Sequence, residues 1–149
     1  MKVLFVCTGN TCRSPMAEGI LRNIAKERNL DIEVKSAGVS VYDGDSAARN
    51  SRDAMAKIGI DLSEHKSSQI HRDLIEESDL ILTMSTGHKQ AIISSFNSSK
   101  NKVFTLLEYA YGIEKDIIDP FGRDLRFYEK TRDEIYQAII QMEIVNKGR

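Results

Sequence analysis

The chain has 149 residues, 41% of them hydrophobic, which suits one domain around a single core. With 21 basic and 22 acidic side chains the formal net charge is −1, so no overall field attracts nucleic acid or an anionic membrane. No apolar run approaches the ~20 residues of a membrane span, and the chain begins with a strand-like run instead of a signal peptide. We therefore predict one domain over residues 1–149, in the cytoplasm, with neither nucleic-acid nor membrane partners.

Short apolar runs alternate with helical patterns along the chain, without internal repeats or low-complexity segments. The predicted strands are residues 3–6, 32–38, 80–84 and 103–106. The predicted helices are residues 14–28, 46–58, 71–77 and 86–96, a short one around 108–109, and a long one over 125–142. Such alternation indicates parallel βαβ units, so we expect a three-layer α/β domain whose four-stranded parallel sheet carries helices on both faces.

The spacing of the cysteines and histidines argues against a metal centre. Cys7 and Cys12 are too few for a disulfide framework, and their separation is not that of a zinc ribbon. His65, His71 and His88 lack the i, i+4 spacing that places two ligands on one helical face. We predict no metal and no other cofactor, and interpret the histidines as exposed or structural.

The first predicted strand, loop and helix form a unit suited to anion binding. Cys7 stands at the carboxyl end of the strand, where open parallel sheets bind ligands. Residues 8–13 form a short loop, and Ser14 and Pro15 are predicted as the N-cap and first residue of the helix. A loop that closes onto a helix N-terminus directs several N–H groups and the positive helix dipole at one point.

The same unit carries a candidate nucleophile and a candidate clamp. A cysteine at a strand end is usually a small buried residue. Here the helix N-terminus and Arg13 would favour the Cys7 thiolate. Arg13 follows Cys7 by six residues, so a curled loop would let its guanidinium hold two oxygens of a tetrahedral oxyanion while the sulfur faces the central atom.

The segment CTGNTCRSPMAE, residues 7–18, resembles the C-x5-R-S-P signature of the low-molecular-weight protein tyrosine phosphatases, and the similarity extends over nearly the whole chain. The resemblance implies the flavodoxin-like strand order 2-1-3-4. It implies that Asn10 and Ser14 hold the loop in shape and donate to the sulfur of the nucleophile. It also implies phosphate binding by Thr8, Gly9, Asn10, Thr11, Cys12 and Ser14.

A second motif supplies the acid that a leaving group requires. Asp119-Pro120-Phe121 matches the Asp-Pro-aromatic loop in which this family carries its general acid, although an Asp-Pro pair taken alone is more often a turn. The implied mechanism has two steps. Cys7 attacks phosphorus while Asp119 protonates the leaving atom, and water then hydrolyses the cysteinyl phosphate, with Arg13 stabilising both transition states.

Cys12 has two interpretations. It is either a structural residue or the partner of Cys7 in the reversible disulfide of this family, which would protect the nucleophile from irreversible oxidation.

Thr11 and Phe121 indicate which phosphorylated residue is the substrate. Family members that act on phosphotyrosine commonly carry Ile or Leu at the position of Thr11, whereas the bacterial protein-arginine phosphatase branch carries Thr, and Phe121 also fits that branch. Further similarity lies in HKQ (88–90), VFTLLEY (103–109) and DPFG (119–122). We therefore expect a monomer that dephosphorylates phosphoarginine in proteins.

Three other functions are weighed against this one. The first is phosphotyrosine hydrolysis within the same family. The second is arsenate reduction, which on this scaffold needs cysteines outside the loop, and none follows Cys12. The third is phosphate binding without catalysis, which would need neither a thiol at position 7 nor an acid at 119.

Overall fold

The computed structural model describes residues 1–147 and shows strands and helices in close alternation. The strands are β1 (Lys2–Cys7), β2 (Glu33–Gly38), β3 (Leu80–Thr83) and β4 (Val103–Thr105). The helices are α1 (Arg13–Glu27), α2 (Arg49–Ala56), α3 (Arg72–Glu77), α4 (Thr86–Ser95), α5 (Leu106–Tyr111), α6 (Leu125–Gln141) and α7 (Glu143–Asn146). A single 3₁₀ turn, Asn97–Ser99, precedes β4.

The strands form one parallel sheet in the order β2-β1-β3-β4, which confirms the predicted α/β class and topology. In this register Cys7 lies beside Gly38 of β2, and Val6 lies beside Thr83 of β3. The loops that follow β1, β2 and β3 therefore leave the sheet at the same edge.

Alternating side chains of β1 serve two cores, one on each face of the sheet. Leu4 and Val6 pack with residues of α3 and α4, whereas Val3, Phe5 and Cys7 belong to a larger core formed with α1, α2, α5, α6 and α7. A central strand covered on both faces explains why residues 3–6 read as an unbroken apolar run. Cys7 thus faces the larger core.

The start of α1 differs from the prediction. The helix begins at Arg13, its N-cap is Cys12 without a side-chain cap, and Ser14 and Pro15 are its second and third residues. Ser14 does not cap the helix because its hydroxyl bonds to other side chains of the loop. Pro15 is tolerated there because the first-turn N–H groups have no intrahelical acceptor.

Other boundaries shift by a few residues. Leu106 begins α5 instead of ending β4, because Thr105 and Glu108 form a capping box across the junction. α2 is preceded by Ala48, not Ser46, and the N–H of Ala48 donates to the carbonyl of Thr11. The long helix ends at Gln141 because Met142 adopts an extended conformation before the short α7.

Within residues 1–147, no helix is both long enough and apolar enough to span a bilayer.

Candidate active site

The loop from Cys7 to Arg13, here called the Cys7 loop, joins β1 to α1 and curls around one cavity. Cys7 is a free thiol, 2% exposed, and its Sγ lies 2.9 Å from the hydroxyl oxygen of Ser14. The cavity has a volume of about 250 Å³. It is lined by Cys7, Thr8, Gly9, Thr11, Cys12, Arg13, Asp119 and Phe121.

Asn10 fastens the loop from within. Its backbone is left-handed, with φ of 56°, a conformation that asparagine tolerates better than most residues. Its buried amide Nδ2 donates to the hydroxyls of Ser14 (2.8 Å) and Ser36 (2.9 Å), and its Oδ1 accepts from the N–H of Ser68 (3.0 Å). Because the Ser14 hydroxyl accepts from Asn10, its own proton is available to the Cys7 sulfur.

Gly38 lets the loop lie close to β2. A Cβ atom at this position would come within 2.4 Å of the Thr8 carbonyl oxygen and 3.0 Å of the Asn10 nitrogen. The N–H of Ser40, just beyond Gly38, donates to the same Thr8 carbonyl (3.0 Å). A side chain at 38 would therefore push the loop away from the strand that supports it.

Arg13 holds the loop to the far side of the cavity and keeps one donor free. Its Nη1 donates to the carbonyl of Ile117 (2.7 Å), and its Nη2 lies 3.5 Å from the Asp119 carboxylate. The Nε atom is buried and has no hydrogen-bond partner within residues 1–147. A buried N–H without an acceptor is costly, so this donor suits an oxyanion bound in the cavity.

Asp119 stands at the cavity mouth on the segment between α5 and α6, residues 113–124, here called the acid loop. Its Oδ1 accepts from the N–H of Phe121 (3.1 Å) in a local turn, and half of its side chain is exposed (49%). Phe121 lines the rim and is 75% exposed. The carboxylate thus reaches both the cavity and solvent, as a group that exchanges protons with a substrate and with water requires.

Two histidines support the loop, a role that the sequence did not reveal. The Nε2 atom of His65 lies 2.7 Å from the carbonyl oxygen of Asn10, and that of His88 lies 2.8 Å from the hydroxyl of Thr8. His88 follows the end of β3, whose neighbour in the sheet is β1. The sequence could have indicated this contact only through the position of His88 after β3, beside the loop that follows β1. Spacing within one helix does not predict contacts between different elements.

His88 is neutral at physiological pH. Burial, with a contribution from the positive charge of Arg13, lowers the pKa of His88 to about 4. Its Nδ1 lies 2.9 Å from the hydroxyl of Ser85, the N-cap of α4. The imidazole therefore links Thr8 to α4 without adding a competing positive charge beside Arg13.

Cys12 is buried under the loop against α6. Its Sγ lies 3.3 Å from the hydroxyl of Tyr128 and 3.8 Å from that of Thr11. Burial raises the pKa of the Cys12 thiol above its ordinary value, so at neutral pH it is protonated. Cys12 is therefore a thiol, which is less reactive than a thiolate. It lines the same cavity as Cys7.

A second cavity is larger, about 490 Å³, and lies between α1 and the segment before α3. Cys7, Arg13 and Asp119 do not line it, although His65, Ser36 and Ser68, which contact Asn10, do. Size therefore does not identify the reactive cavity, whereas the combination of functional groups does.

A buried thiol, a guanidinium with a free donor and a half-exposed carboxylate around one cavity can transfer a tetrahedral, oxyanion-bearing group to sulfur and onward to water. Of the residues predicted for this site, all but Asn10 and Ser14 line the cavity, and these two are buried beneath it, where they bond to each other. Among the described residues, His, Cys, Asp and Glu side chains form no group of three or more suited to a metal ion.

Comparison with known proteins places this site in a family. Residues 2–147 match the model of low molecular weight phosphotyrosine protein phosphatases. The protein-arginine-phosphatase of Bacillus subtilis (strain 168) is 43% identical over 142 residues, covering 95% of this chain and 94% of its own. The low molecular weight protein-tyrosine-phosphatase PtpB of Staphylococcus epidermidis is 38% identical, covering 93% of this chain and 94% of its own.

A solved structure gives the same result. The YwlE arginine phosphatase, a cysteine-to-serine mutant with a phosphorylated active site serine, superposes with a TM-score of 0.92 at 42% identity, covering 95% of this chain and 92% of that one. The resemblance first indicated by residues 7–18 thus extends to sequence and fold over almost the whole chain. The chain belongs to the low molecular weight phosphotyrosine protein phosphatase family.

Proposed function

We propose that the protein is a phosphatase that hydrolyses phosphoarginine in proteins through a cysteinyl-phosphate intermediate. The observation that carries this proposal is the convergence of Cys7, Arg13 and Asp119 on one cavity of a family member. The 43% identity to a protein-arginine-phosphatase supports the choice of substrate.

In the first step the Cys7 thiolate attacks phosphorus. An S–P bond forms and the P–N bond to the guanidinium breaks, and the electron pair of that bond stays on nitrogen, which takes a proton from Asp119. In the second step water attacks phosphorus and gives a proton to the Asp119 carboxylate, while the S–P electron pair returns to sulfur. Each group ends in its starting state.

Arg13 and the N–H groups of the Cys7 loop hold the phosphoryl oxygens through both steps. This stabilisation is electrostatic and preorganised, because Asn10 and Gly38 fix the loop before substrate binds. The partnerless Nε of Arg13 is the donor that gains an acceptor. The Ser14 hydroxyl, 2.9 Å from Cys7 Sγ, stabilises the sulfur as attacking and as leaving group.

Thr11 and Phe121 are the proposed specificity residues. Both line the cavity, Thr11 within the loop and Phe121 at the rim. Thr11 places a hydroxyl where a longer aliphatic side chain would fill the space, which suits a polar, planar guanidinium. Once Asp119 has given its proton to the leaving nitrogen, its carboxylate attracts the cationic guanidinium that is formed.

Phosphotyrosine hydrolysis is the alternative, and the 38% identity to a protein-tyrosine-phosphatase favours it. The test compares kcat/KM on phosphoarginine and phosphotyrosine peptides of one sequence, for wild type and Thr11→Ile. We expect wild type to prefer phosphoarginine and the substitution to shift the preference toward phosphotyrosine. A tenfold wild-type preference for phosphotyrosine, or an unchanged preference in the variant, would overturn the phosphoarginine assignment.

The role of Cys7 is tested with p-nitrophenyl phosphate in buffer without added metal. Wild type should turn over and Cys7→Ser should not, because a serine hydroxyl at neutral pH is a far weaker nucleophile than a thiolate. Cys12→Ser is the matched control, since it changes the second buried thiol and should keep most of the activity. Turnover by Cys7→Ser would remove Cys7 as the nucleophile.

We further propose that Cys12 makes the enzyme redox-sensitive by forming a disulfide with Cys7. Peroxide should then inactivate wild type reversibly, with activity restored by dithiothreitol, whereas Cys12→Ser should lose activity irreversibly. Equal recovery in the two proteins would refute the proposal.

We also propose that residues 1–149 form a single domain that acts as a monomer in the cytoplasm on phosphorylated proteins, without binding nucleic acid or membranes. The net charge of −1 supports this proposal. Light scattering after size exclusion should give one chain mass, and a doubled mass would contradict the monomer.

A further inference from the structure

The first turn of α4 lies between the two segments that supply the reactive groups. On one side His88 contacts Thr8 of the Cys7 loop. On the other side Thr86, the first residue of the helix, contacts Asp116 of the acid loop, three residues before Asp119. This turn therefore touches both halves of the candidate site without lining the cavity.

Asp116 caps α4 from outside the helix. Its Oδ1 accepts from the N–H of Thr86 (2.8 Å) and from the hydroxyl of the same residue (3.3 Å). The N–H of a first helical residue has no acceptor within its helix, and a carboxylate is favoured at the positive end of the dipole. The contact thus joins the acid loop to the first residue of α4.

Ile117 continues the attachment through its backbone. Its N–H donates to the carbonyl of Met84, the residue after β3 (2.8 Å), and its carbonyl accepts from Arg13 (2.7 Å). After it the chain turns outward, with Ile118 65% exposed and Asp119 half exposed. Residues 116 and 117 therefore attach the backbone that leads to Asp119, whose carboxylate then meets Arg13 at 3.5 Å.

We infer that Asp116 is a positioning residue for the reaction. By binding Thr86 it holds the acid loop in the position from which Asp119 can protonate the leaving atom. This inference rests on the proposed function of Asp119 as general acid. It assigns Asp116 no contact with substrate, so its loss should affect proton donation and leave the nucleophilic attack largely intact.

The experiment compares kcat/KM, which reports formation of the cysteinyl phosphate, for phenyl phosphate and p-nitrophenyl phosphate. Phenolate is the poorer leaving group and needs the proton more. Asp116→Ala should lower kcat/KM for phenyl phosphate about tenfold or more, since small misplacements of catalytic groups can cost ~10²-fold, with a clearly smaller loss for p-nitrophenyl phosphate. Asp116→Asn, which keeps an acceptor oxygen for Thr86, should restore most of the activity.

Thr86 provides an independent way to break the same contact. Thr86→Pro removes both donors at a first helical position, where proline is well accommodated, and Ser85 before it is already extended. Its effect should match that of Asp116→Ala, and the double variant should be no worse than either single one. Asp31→Ala is the matched control, because it removes one exposed carboxylate before β2, at the opposite edge of the sheet, and its kcat/KM values should stay at wild-type level.

Asp119→Asn distinguishes the two possible failures. If it shows no larger loss on phenyl phosphate than on p-nitrophenyl phosphate, the general-acid assignment itself is wrong. If Asp119→Asn shows the larger loss but Asp116→Ala lowers both substrates equally, or lowers neither, Asp116 does not position the acid. A selective loss in Asp116→Ala and Thr86→Pro, rescued in Asp116→Asn, supports the inference.

Discussion

The Cys7 loop and the acid loop supply groups to the same cavity but are held in opposite ways. Cys7, Asn10 and Arg13 are buried. Asn10 bonds to Ser36 of β2, and Thr8 of the same loop bonds to His88 of α4. The acid loop is attached by Glu114, Asp116 and Ile117 and by the contact of Asp119 with Arg13, while its apolar side chains Ile118 and Phe121 face solvent. One segment is part of the core and the other lies on the surface.

The difference follows from what each segment does in the proposed reaction. Groups that stabilise a transition state electrostatically act best when they are fixed before the reaction, which burial and a closed hydrogen-bond network provide. An acid that takes a proton from water in one step and delivers it in the other has to meet both solvent and substrate. Changes in the Cys7 loop should therefore cost stability and activity together, and changes in the acid loop should cost activity alone.

Arg13→Lys should give the largest effect. The ammonium keeps the charge, but it cannot present the planar fork that reaches both the phosphoryl oxygens and the Ile117 carbonyl. We expect kcat/KM on p-nitrophenyl phosphate to fall by about 10²–10³-fold, the cost of losing a preorganised donor. A kcat/KM within threefold of wild type would show that a positive charge alone, without the planar guanidinium, stabilises the transition state.

Asn10→Ala should lower stability and activity together. It removes the three side-chain hydrogen bonds to Ser14, Ser36 and Ser68 and forces alanine into a left-handed backbone, a total cost of about 2–4 kcal/mol in the free energy of unfolding. Asn29→Ala is the matched control.

Asn29 is also left-handed, with φ of 54°, but it is exposed after α1, so only the backbone cost of about 1 kcal/mol should remain. Urea titrations of both variants measure the difference. Equal losses would mean that the side-chain bonds of Asn10 contribute nothing.

His88 should make stability depend on pH in a defined window. In the unfolded chain His88 takes up a proton near pH 6.5, whereas burial lowers the pKa in the folded protein to about 4. The contribution of His88 is fully present above pH 6.5 and is lost as the pH falls to about 4, because the unfolded state binds the proton first.

Melting temperatures of wild type and His88→Gln, measured from pH 7.5 to 4, should therefore converge as the pH falls. The glutamine variant lacks the titrating group and keeps an N–H for Thr8. If the melting temperatures of the two proteins fall in parallel with pH, titration of the His88 imidazole does not cause the pH dependence of stability.

Phe121→Ala should give the smallest change in stability. Because the ring is exposed at the rim, the free energy of unfolding should stay within about 0.5 kcal/mol of wild type, whereas the buried Phe5→Ala should cost about 3–5 kcal/mol. We expect KM for a phosphopeptide to rise a few-fold with kcat unchanged. A destabilised Phe121→Ala would contradict the division between the two loops.

The fold was predictable where local pattern and packing agree. Strand and helix alternation predicted the sheet, and the apolar run at 3–6 predicted its central strand. The boundary at Leu106 was missed although Thr105-x-x-Glu108 is a readable capping box. The break at Met142 has no comparable signal, since Ile144 and Val145 continue an apolar pattern into the core.

The site was predictable where its residues are adjacent in sequence, as in the Cys7 loop. Ser14 was assigned to a cap because serine before a helix usually bonds the backbone, whereas the family resemblance assigned its hydroxyl to the Cys7 sulfur. The structure shows the contact with sulfur and no cap. His65, His88 and Asp116 lie far from the loop along the chain, and the sheet order brings them to it. Spacing within one element carries no information about such contacts.

The register of β1 carries a consequence for how this enzyme can evolve. Cys7 pairs with Gly38 and shares its face with Val3 and Phe5. Inserting or deleting one residue in this strand would turn the thiol to the opposite side of the sheet and exchange the two cores. Lineages can therefore vary the side chains of β1 but not its length, whereas the exposed residues 122 and 123, between Phe121 and the N-cap of α6, can gain or lose neighbours as substrates change.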